Sequence, residues 1–271
     1  MRGRGDQPQF TAVGSTGPMH WAVGRFLLAL ICIFSIPLAQ ATNAEVEGTL
    51  ERLSERMEDQ LQERFELAGV DYPPQRIQLI ALKQTRRLEL WAFQAGSWRY
   101  VHDYPVFAAS GEAGPKLREG DKQVPEGFYQ IVELNPNSHF HLSLKLNYPN
   151  TFDWLQALRE DRKKPGSNIF IHGSAWSAGC LAIGNRYVEE LFYLVGKVGL
   201  EQSGVIILPY DFRVREISLS GDEPDWLAGL YARLKLRMED FPLAAKARAC
   251  GYRCREARAL RDAAVLPGEA R

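Results

Sequence analysis

A succession of short apolar segments runs through the middle of the chain and limits the fold more than any other feature. Residues 76–93 alternate apolar and polar side chains on both sides of a Gln84-Thr85-Arg86-Arg87 turn, which predicts two antiparallel strands. Gly, Pro and Asn clusters separate further strand-like segments at 98–108, 127–134, 140–146, 168–172 and 205–208. We therefore expect a β-rich domain over residues 76–210, built as a mixed short-strand sheet or sandwich.

Amphipathic helices are predicted on both sides of this domain. Residues 44–68 repeat apolar side chains at spacings of three and four among Glu and Arg, within a helical lead-in over residues 42–75. After the domain, a helix should begin near Asp222 and stop at Pro242, in a helical segment with a basic tail over residues 211–271. The expected fold class is α+β, predominantly β, with flanking N- and C-terminal helices.

One further helix is predicted inside the domain. Residues 186–198 carry apolar side chains on one face, and Asn185 is expected to cap the first turn. Gly199 should end this helix, because glycine favours the backbone conformation that closes a helix.

Composition excludes several classes of protein. The chain has 271 residues, of which 45% are hydrophobic and 24% charged, values typical of a folded globular protein. Lys plus Arg and Asp plus Glu both number 33, so no overall positive field favours nucleic acid. The sequence contains no phosphate loop, no HExxH motif and no dinucleotide fingerprint, and we expect no cofactor.

The N-terminal region has the pattern of an export signal. Residues 26–39 are uncharged and apolar, follow Arg25, and lead into Ala39-Gln40-Ala41, a small-x-small cleavage pattern. We interpret residues 19–41 as a signal peptide that sends the protein to the periplasm, or anchors it in the inner membrane if it is not cleaved. Residues 1–18 lack periodicity and are interpreted as a non-native extension or a mis-called start.

Three cysteines remain after such a cleavage. Cys250 and Cys254 lie close together and are the natural couple for a disulfide in an oxidising compartment, or they are two free thiols. Cys180 is then the unpaired thiol. A lone cysteine is more often a small buried apolar residue than a reactive one, so its neighbours in the sequence decide the interpretation.

Those neighbours are suited to nucleophilic chemistry. An apolar strand leads to His172, a loop of mostly small residues follows, and Cys180 arrives after Gly179. The chain can reverse within this loop, so the sulfur can return to the imidazole ring. A nearby imidazole lowers the pKa of a thiol and supplies a general acid and base, and Gly179 leaves room for backbone N–H groups to face an oxyanion. This pattern favours acyl transfer, with Cys180 as a low-pKa free thiol.

The same residues resemble a known family. His172-Gly173 followed by Ser177-x-Gly179-Cys180 is similar to the signature of the L,D-transpeptidase (YkuD-type) catalytic domain. The upstream run Val124-Pro125-Glu126-Gly127-Phe128-Tyr129 resembles the Thr-Pro-x-Gly-x-Tyr/Phe entry of that family, with Val in place of Thr. The short loop from His to Cys, with runs 139–143 and 147–150, is most similar to the murein L,D-transpeptidase YafK branch.

The resemblance implies a function in cell wall biogenesis. It implies an exported cysteine acyl-transferase that acts on peptidoglycan stem peptides. A wall-attached envelope protein is a further candidate partner if the acyl group passes to water. Cys180 would be the nucleophile and His172 the general acid and base. Ser177 would orient the histidine, and Gly179 would lie beside the oxyanion site.

Three other residues are implied as substrate contacts. These residues are Gly173, His141 and Tyr148, and for the last two an ordinary place in the sheet is an equal alternative. His139 and His141 share one face of a predicted strand, but two histidines without a third ligand seldom bind zinc, so we expect no metal.

Two departures from the family pattern leave alternatives open. Ala178 stands where most members have a histidine, and Ala182 stands where most have an arginine that can bind a carboxylate. A hydrolase or amidase would use the same pair of residues and pass the acyl group to water. A non-catalytic wall-binding module, with Cys180 merely buried, is the third hypothesis.

Overall fold

The structure is a computed structural model that describes residues 37–243, with side chains from residue 43 onward. It is described below as the compact unit that begins at Ala44. The predictions for residues 1–18, for most of the signal peptide and for Cys250 and Cys254 lie outside the described residues. No helix in the described part of the chain combines the length and apolar character needed to cross a membrane.

Short strands make up most of the regular structure, as the sequence pattern predicts. The strands are β1 (Ile77–Leu82), β2 (Arg87–Gln94), β3 (Ser97–Pro105), β4 (Ala108–Ala109), β5 (Gly127–Ser138), β6 (His141–Leu146), β7 (Phe170–His172), β8 (Leu181–Ala182) and β9 (Ser203–Leu208). The helices are α1 (Pro37–Ala68), α2 (Thr151–Arg159), α3 (Asn185–Val198) and α4 (Leu227–Met238), and a 3₁₀ turn spans Leu200–Gln202.

All the described strands belong to one mixed sheet. Its order is β3-β2-β1-β9-β5-β6-β7-β8-β4. The β1–β9 and β7–β8 pairs are parallel, and the other pairs are antiparallel. The predicted hairpin over residues 76–93 is present as β1 and β2. The α+β fold, predominantly β with flanking helices, is therefore confirmed.

Helices cover the β1 region of the sheet on both faces. Leu79 packs into a core shared with α1 and α3, which contribute side chains such as Phe65 and Leu191. Its neighbour Ile80 points to the opposite face, into a second core with Leu230 of α4. Successive strand side chains alternate between the faces, so β1 is buried along its whole length.

Two helix ends differ from the sequence prediction. The helix predicted over 186–198 begins one residue earlier, at Asn185, so Gly184 occupies the cap position and has no side chain to cap the helix. The Asn185 Oδ1 instead accepts a hydrogen bond from the Ser174 N–H at 2.8 Å. Gly199 ends this helix as predicted. The helix predicted from Asp222 spans only Leu227–Met238 and stops before Pro242.

The sequence prediction missed helix α2. Asn150 caps it by accepting hydrogen bonds from the N–H groups of Phe152 and Asp153, and the Asp153 side chain accepts one from the Asn150 N–H. This capping box is a local signal that was available in the sequence.

Candidate active site

The pairing of β7 with β8 brings His172 and Cys180 close together. Strands β7 and β8 are parallel, with Ile171 opposite Leu181 and His172 opposite Ala182. Ile171 and Leu181 point into the core shared with α1 and α3. His172 therefore faces the other side, and Cys180 lies immediately before Leu181, two positions before the residue opposite His172.

A hydrogen bond sets the tautomer of His172. Its Nδ1 lies 2.6 Å from the carbonyl oxygen of Gly173, and the ring is almost fully buried. A carbonyl oxygen only accepts hydrogen bonds, so Nδ1 must carry the proton and Nε2 is left with a lone pair. Burial lowers the pKa of His172, although the bond to Gly173 opposes this shift. The residue is thus a neutral imidazole with Nε2 available as a base.

The thiol of Cys180 is neutral in the same state. Its Sγ lies 3.7 Å from the carbonyl oxygen of Asn168, to which the S–H donates. Burial raises the pKa of Cys180, while the Phe170 N–H and the positive charge of Lys116 act in the opposite direction. Desolvation is the largest cause because burial disfavours the charged form. The expectation of a low-pKa thiol is therefore wrong for the protein without substrate, although Cys180 is a free cysteine.

Ser177 orders the loop that presents the nucleophile. Its Oγ donates to the Cys180 carbonyl at 2.7 Å and accepts from the N–H groups of Cys180 at 3.0 Å and Gly179 at 3.3 Å. These bonds fix the backbone around Cys180, so Ser177 can act on His172 only indirectly. Gly179 adopts φ 120°, and a Cβ there would lie 3.4 Å from the Gln123 carbonyl oxygen. A side chain at this position would be strained.

An aromatic stack covers the imidazole. The ring of Phe140 lies 4.6 Å from that of His172 at an interplanar angle of 29°, and Trp176 stacks on Phe140 at 6.2 Å. The sequence analysis did not assign a role to Phe140 or Trp176. Phe140 lies about thirty residues before His172, and only the pairing of β6 with β7 brings the two together.

The residues implied as substrate contacts have different surroundings. The His141 Nε2 lies 2.6 Å from Oε1 of Glu189 on α3. Tyr148 is buried, and its hydroxyl donates to the Pro165 carbonyl at 2.7 Å. Gly173 adjoins the site, and a Cβ there would lie 2.5 Å from the Phe140 carbonyl oxygen. Gly173 thus lies beside the aromatic stack, and the substrate roles of Gly173, His141 and Tyr148 all stay predictions.

A metal centre is not indicated in the part of the chain that the structure describes. Within residues 37–243, no group of three or more His, Cys, Asp or Glu side chains is arranged to hold a metal ion.

Comparison with known proteins identifies the domain that contains this geometry. Residues 77–207 match the family model of the L,D-transpeptidase catalytic domain, YkuD. These residues are similar to an L,D-transpeptidase catalytic domain. The match includes both His172 and Cys180, and it confirms the resemblance drawn from the motif.

Similar curated proteins and solved structures cover the chain in part. YafK proteins of Escherichia coli strain K12 and of strain O157:H7 are each 30% identical to it over 140 residues, which are 51% of this chain and 54% of the relative. The chain thus spans about half the length of the curated relatives it matches.

Two solved structures are similar to part of the chain. The helical cell shape determining protein Pgp2 from Campylobacter jejuni is 22% identical, with a TM-score of 0.43 over 61% of this chain and 56% of that one. Bd1075 from Bdellovibrio bacteriovorus is also 22% identical, with a TM-score of 0.37 over 52% and 50%.

Proposed function

We propose that the chain is a cysteine acyl-transferase that acts on peptidoglycan stem peptides. Cys180 is the nucleophile, and His172 is the general base and acid. The observation that carries this proposal is the parallel register of β7 and β8, which sets Cys180 two residues before the position opposite His172, whose Nδ1 bonds to the Gly173 carbonyl. The L,D-transpeptidase domain supports peptides of the cell wall as the substrate class.

The chemistry begins from a neutral pair. As Sγ attacks the carbonyl carbon of a stem-peptide amide, its proton moves to Nε2 of His172 and a C–S bond forms. The C–N bond then breaks, and the amine leaves with the proton from Nε2. An incoming amine, or water, attacks the thioester in the reverse sense and returns the proton to sulfur. Stacking on Phe140 holds the imidazole plane during both transfers.

Two backbone N–H groups beside the nucleophile can stabilise the oxyanion. The N–H groups of Gly179 and Cys180 now donate to the Ser177 hydroxyl, which is a neutral acceptor. A developing oxyanion is a stronger acceptor than a hydroxyl, so it would take over these donors when the carbonyl carbon becomes tetrahedral. Ser177 therefore keeps the two N–H groups pointing toward the site between turnovers.

Hydrolysis is the second candidate reaction. Ala182 is fully buried opposite His172, so this position offers no cation to bind the carboxylate of an acceptor amino acid. An enzyme without that contact can pass the acyl group to water, and can thereby release a protein attached to the wall. The same acyl-enzyme serves both reactions.

The proposed site of action is the periplasm. Stem peptides are outside the cytoplasm, and the export pattern of residues 19–41 would deliver the enzyme to them.

Incubation of the purified full chain with muropeptides, followed by mass spectrometry, tests the proposal. We expect an acyl adduct on Cys180 in the wild type and none in Cys180→Ala. His172→Gln should reduce turnover by about 100-fold or more, the usual contribution of a general base. His102→Gln is a matched control, because it removes a histidine from β3 and not from the catalytic pair.

The products distinguish the two reactions. New cross-links show transfer, whereas shortened or detached stems show hydrolysis. Unchanged muropeptides together with no adduct on Cys180 would refute the proposed function.

A further inference from the structure

Two exposed aromatic rings form a platform beside the candidate active site. Trp176, on the loop before Cys180, is 63% exposed, and Phe140, at the tip of the β5–β6 hairpin, is 37% exposed. Neither side chain belongs to the two hydrophobic cores of the described residues. Their rings are nearly parallel, with centroids 6.2 Å apart at an interplanar angle of 26°. The Trp176–Phe140 platform therefore presents apolar surface to water instead of filling the interior.

Phe140 connects this platform to the proposed general base. Its ring also stacks on the imidazole of His172, which is only 2% exposed. The three rings thus run outward from a buried imidazole to an exposed indole. The centroid separations of 4.6 Å and 6.2 Å place the indole no more than about 11 Å from the imidazole, which is the span of about three extended peptide residues.

Hydrogen bonds hold the loop on both sides of Trp176. Before it, the Ser174 N–H donates to Oδ1 of Asn185 at 2.8 Å, and the Ser174 carbonyl accepts from the Gly184 N–H at 3.0 Å. After it, the Ser177 hydroxyl bonds to the backbone of the nucleophile loop. A side chain that is held in place before its ligand arrives loses less conformational entropy on binding.

A cavity with a polar lining adjoins the inner end of the platform. It measures about 270 Å³ and lies against Phe140 and His172. Its polar side chains are amides, hydroxyls and an imidazole, from Asn135, Asn137, Ser138, His139 and Ser143. Among the described residues, no Lys, Arg, Asp or Glu belongs to this lining. Asn137, His139 and Phe140 are exposed, so the cavity is open to water and could hold one unit of a longer polymer.

Two of these polar side chains are fixed within the hairpin. Oδ1 of Asn135 accepts a hydrogen bond from the Asn137 N–H at 2.9 Å, and the Ser138 Oγ accepts one from the Phe140 N–H at 3.1 Å. An amide also carries N–H donors and a hydroxyl also carries its O–H, so both side chains can donate to a ligand.

The two surfaces together match the sugar part of peptidoglycan. A pyranose ring has a flat face of C–H groups, which can pack on an aromatic ring, and an edge of hydroxyl and N-acetyl groups, which can bond to amides and hydroxyls. The side chains of stem peptides are small or charged and offer no comparable flat apolar face.

We propose that the Trp176–Phe140 platform and the adjoining cavity bind a sugar ring of the glycan strand. Trp176 stacks on the C–H face of the ring, and the polar side chains of the cavity bond to its hydroxyl and N-acetyl groups. The inference rests on the proposed function and specifies the substrate: a stem peptide that is still attached to its glycan. A stem that is bound at Cys180 through its third residue spans roughly 10 Å, so its sugar can reach the indole.

Two substrates that differ only in the sugar test this proposal. One is a disaccharide tetrapeptide. The other is the same tetrapeptide with an N-acetyl group in place of the sugar, so that the first residue is uncharged in both. Acylation of Cys180 by each substrate is measured with the full chain. We expect kcat/KM to be about tenfold higher for the substrate with the sugar, the usual size of a contact that covers one face of an aromatic ring.

The ratio of the two kcat/KM values connects this preference to the platform. Trp176→Ala should bring the ratio close to unity, whatever it does to the rate with the peptide alone, whereas a merely structural role would lower both values together. Trp176→Phe keeps a flat ring and should keep most of the preference, and Trp176→Leu, which is apolar but not flat, should keep little of it. Trp154→Ala, which removes an exposed tryptophan from α2, is the matched control and should leave the ratio unchanged.

Glycan strands from which the stem peptides have been removed give a readout without turnover. The full chain with Cys180→Ala should bind these strands in calorimetric titrations. Adding Trp176→Ala should weaken this binding at least about fivefold, and adding Trp154→Ala should not change it.

The possible results are distinguishable. If both substrates acylate Cys180 equally well, or if Trp176→Ala leaves the ratio unchanged, the inference is overturned and the proposed function stands. If neither substrate acylates Cys180, the proposed function is refuted, and the titration then decides whether the sugar site exists. Glycan strands that fail to bind, or that bind equally well without the indole, would overturn the inference in that case as well.

Discussion

Replacement of Glu126 should test how the loop beside the active site is held. Its carboxylate accepts hydrogen bonds from the Lys83 Nζ at 2.8 Å, the Gly114 N–H at 2.8 Å and the Tyr231 hydroxyl at 2.6 Å. Glu126 and Lys83 are both buried, so the network joins β1 and α4 to the segment that packs against Gly179. Glu126→Gln keeps the shape of the side chain and removes only its charge.

The expected loss of stability follows from the lysine left behind. Removal of one partner from a buried ion pair typically costs about 3–5 kcal/mol. The loss of stability cannot exceed the cost of removing the proton from Lys83. The ordinary pKa of this lysine is 10.5, so at pH 7 its neutralisation costs roughly 4.8 kcal/mol, at about 1.36 kcal/mol per pH unit. Burial already lowers the pKa of Lys83 in the wild type, although Glu126 opposes this shift. We therefore expect a loss of about 3–4 kcal/mol.

Urea unfolding of the full chain at pH 7 and pH 9 measures this effect. If Lys83 is neutral in the folded variant, the unfolded state binds one more proton, so the free energy of unfolding rises with pH. The loss should then shrink to about 2 kcal/mol at pH 9. Lys83→Met added to Glu126→Gln should recover part of the stability, because the unpaired charge is gone. The matched control is Glu55→Gln, on the exposed face of α1.

Two results would contradict this reasoning. A loss below about 1 kcal/mol at pH 7 would mean that Lys83 does not depend on Glu126 for its charge. A loss of the same size at both pH values, with no recovery from Lys83→Met, would mean that the lost free energy comes from packing and not from the lysine.

Two further predictions concern the nucleophile loop and helix α2. Ser177→Ala removes three hydrogen bonds around Cys180, each worth about 1 kcal/mol, so it should lower the melting temperature by several degrees. It should also slow acylation of Cys180 at least about tenfold, and an unchanged acylation rate would exclude the ordering role of Ser177. Burial raises the pKa of Asp153 from its ordinary 3.8 to about 6. Between these two values the folded state binds more protons than the unfolded state, so the free energy of unfolding should fall as pH rises through that range. Asp153→Asn should remove this fall in denaturant titrations, and the same slope in both proteins would assign it to other carboxyl groups.

The proposed catalytic pair could be predicted from the sequence because its two residues are close in the chain. His172 ends β7 and Cys180 immediately precedes β8, eight residues later, so the short connection between these two parallel strands keeps the residues close. The same holds for the β1–β2 hairpin, whose alternation and turn lie within one short segment. Apolar periodicity likewise predicted α1, because one face of that helix packs into the core.

The surroundings of the pair could not be predicted in this way, because they depend on contacts between distant segments. Phe140 and Ser143 reach His172 only through the register of β6 against β7. The pKa of Cys180 was predicted in the wrong direction because the motif shows the nearby imidazole but not the desolvation, which is a property of the whole fold. The sequence by itself thus determined which groups are candidates for the chemistry. Only the tertiary structure decided how they are protonated and what lies beside them, since burial and strand register are not encoded in any one segment of the chain.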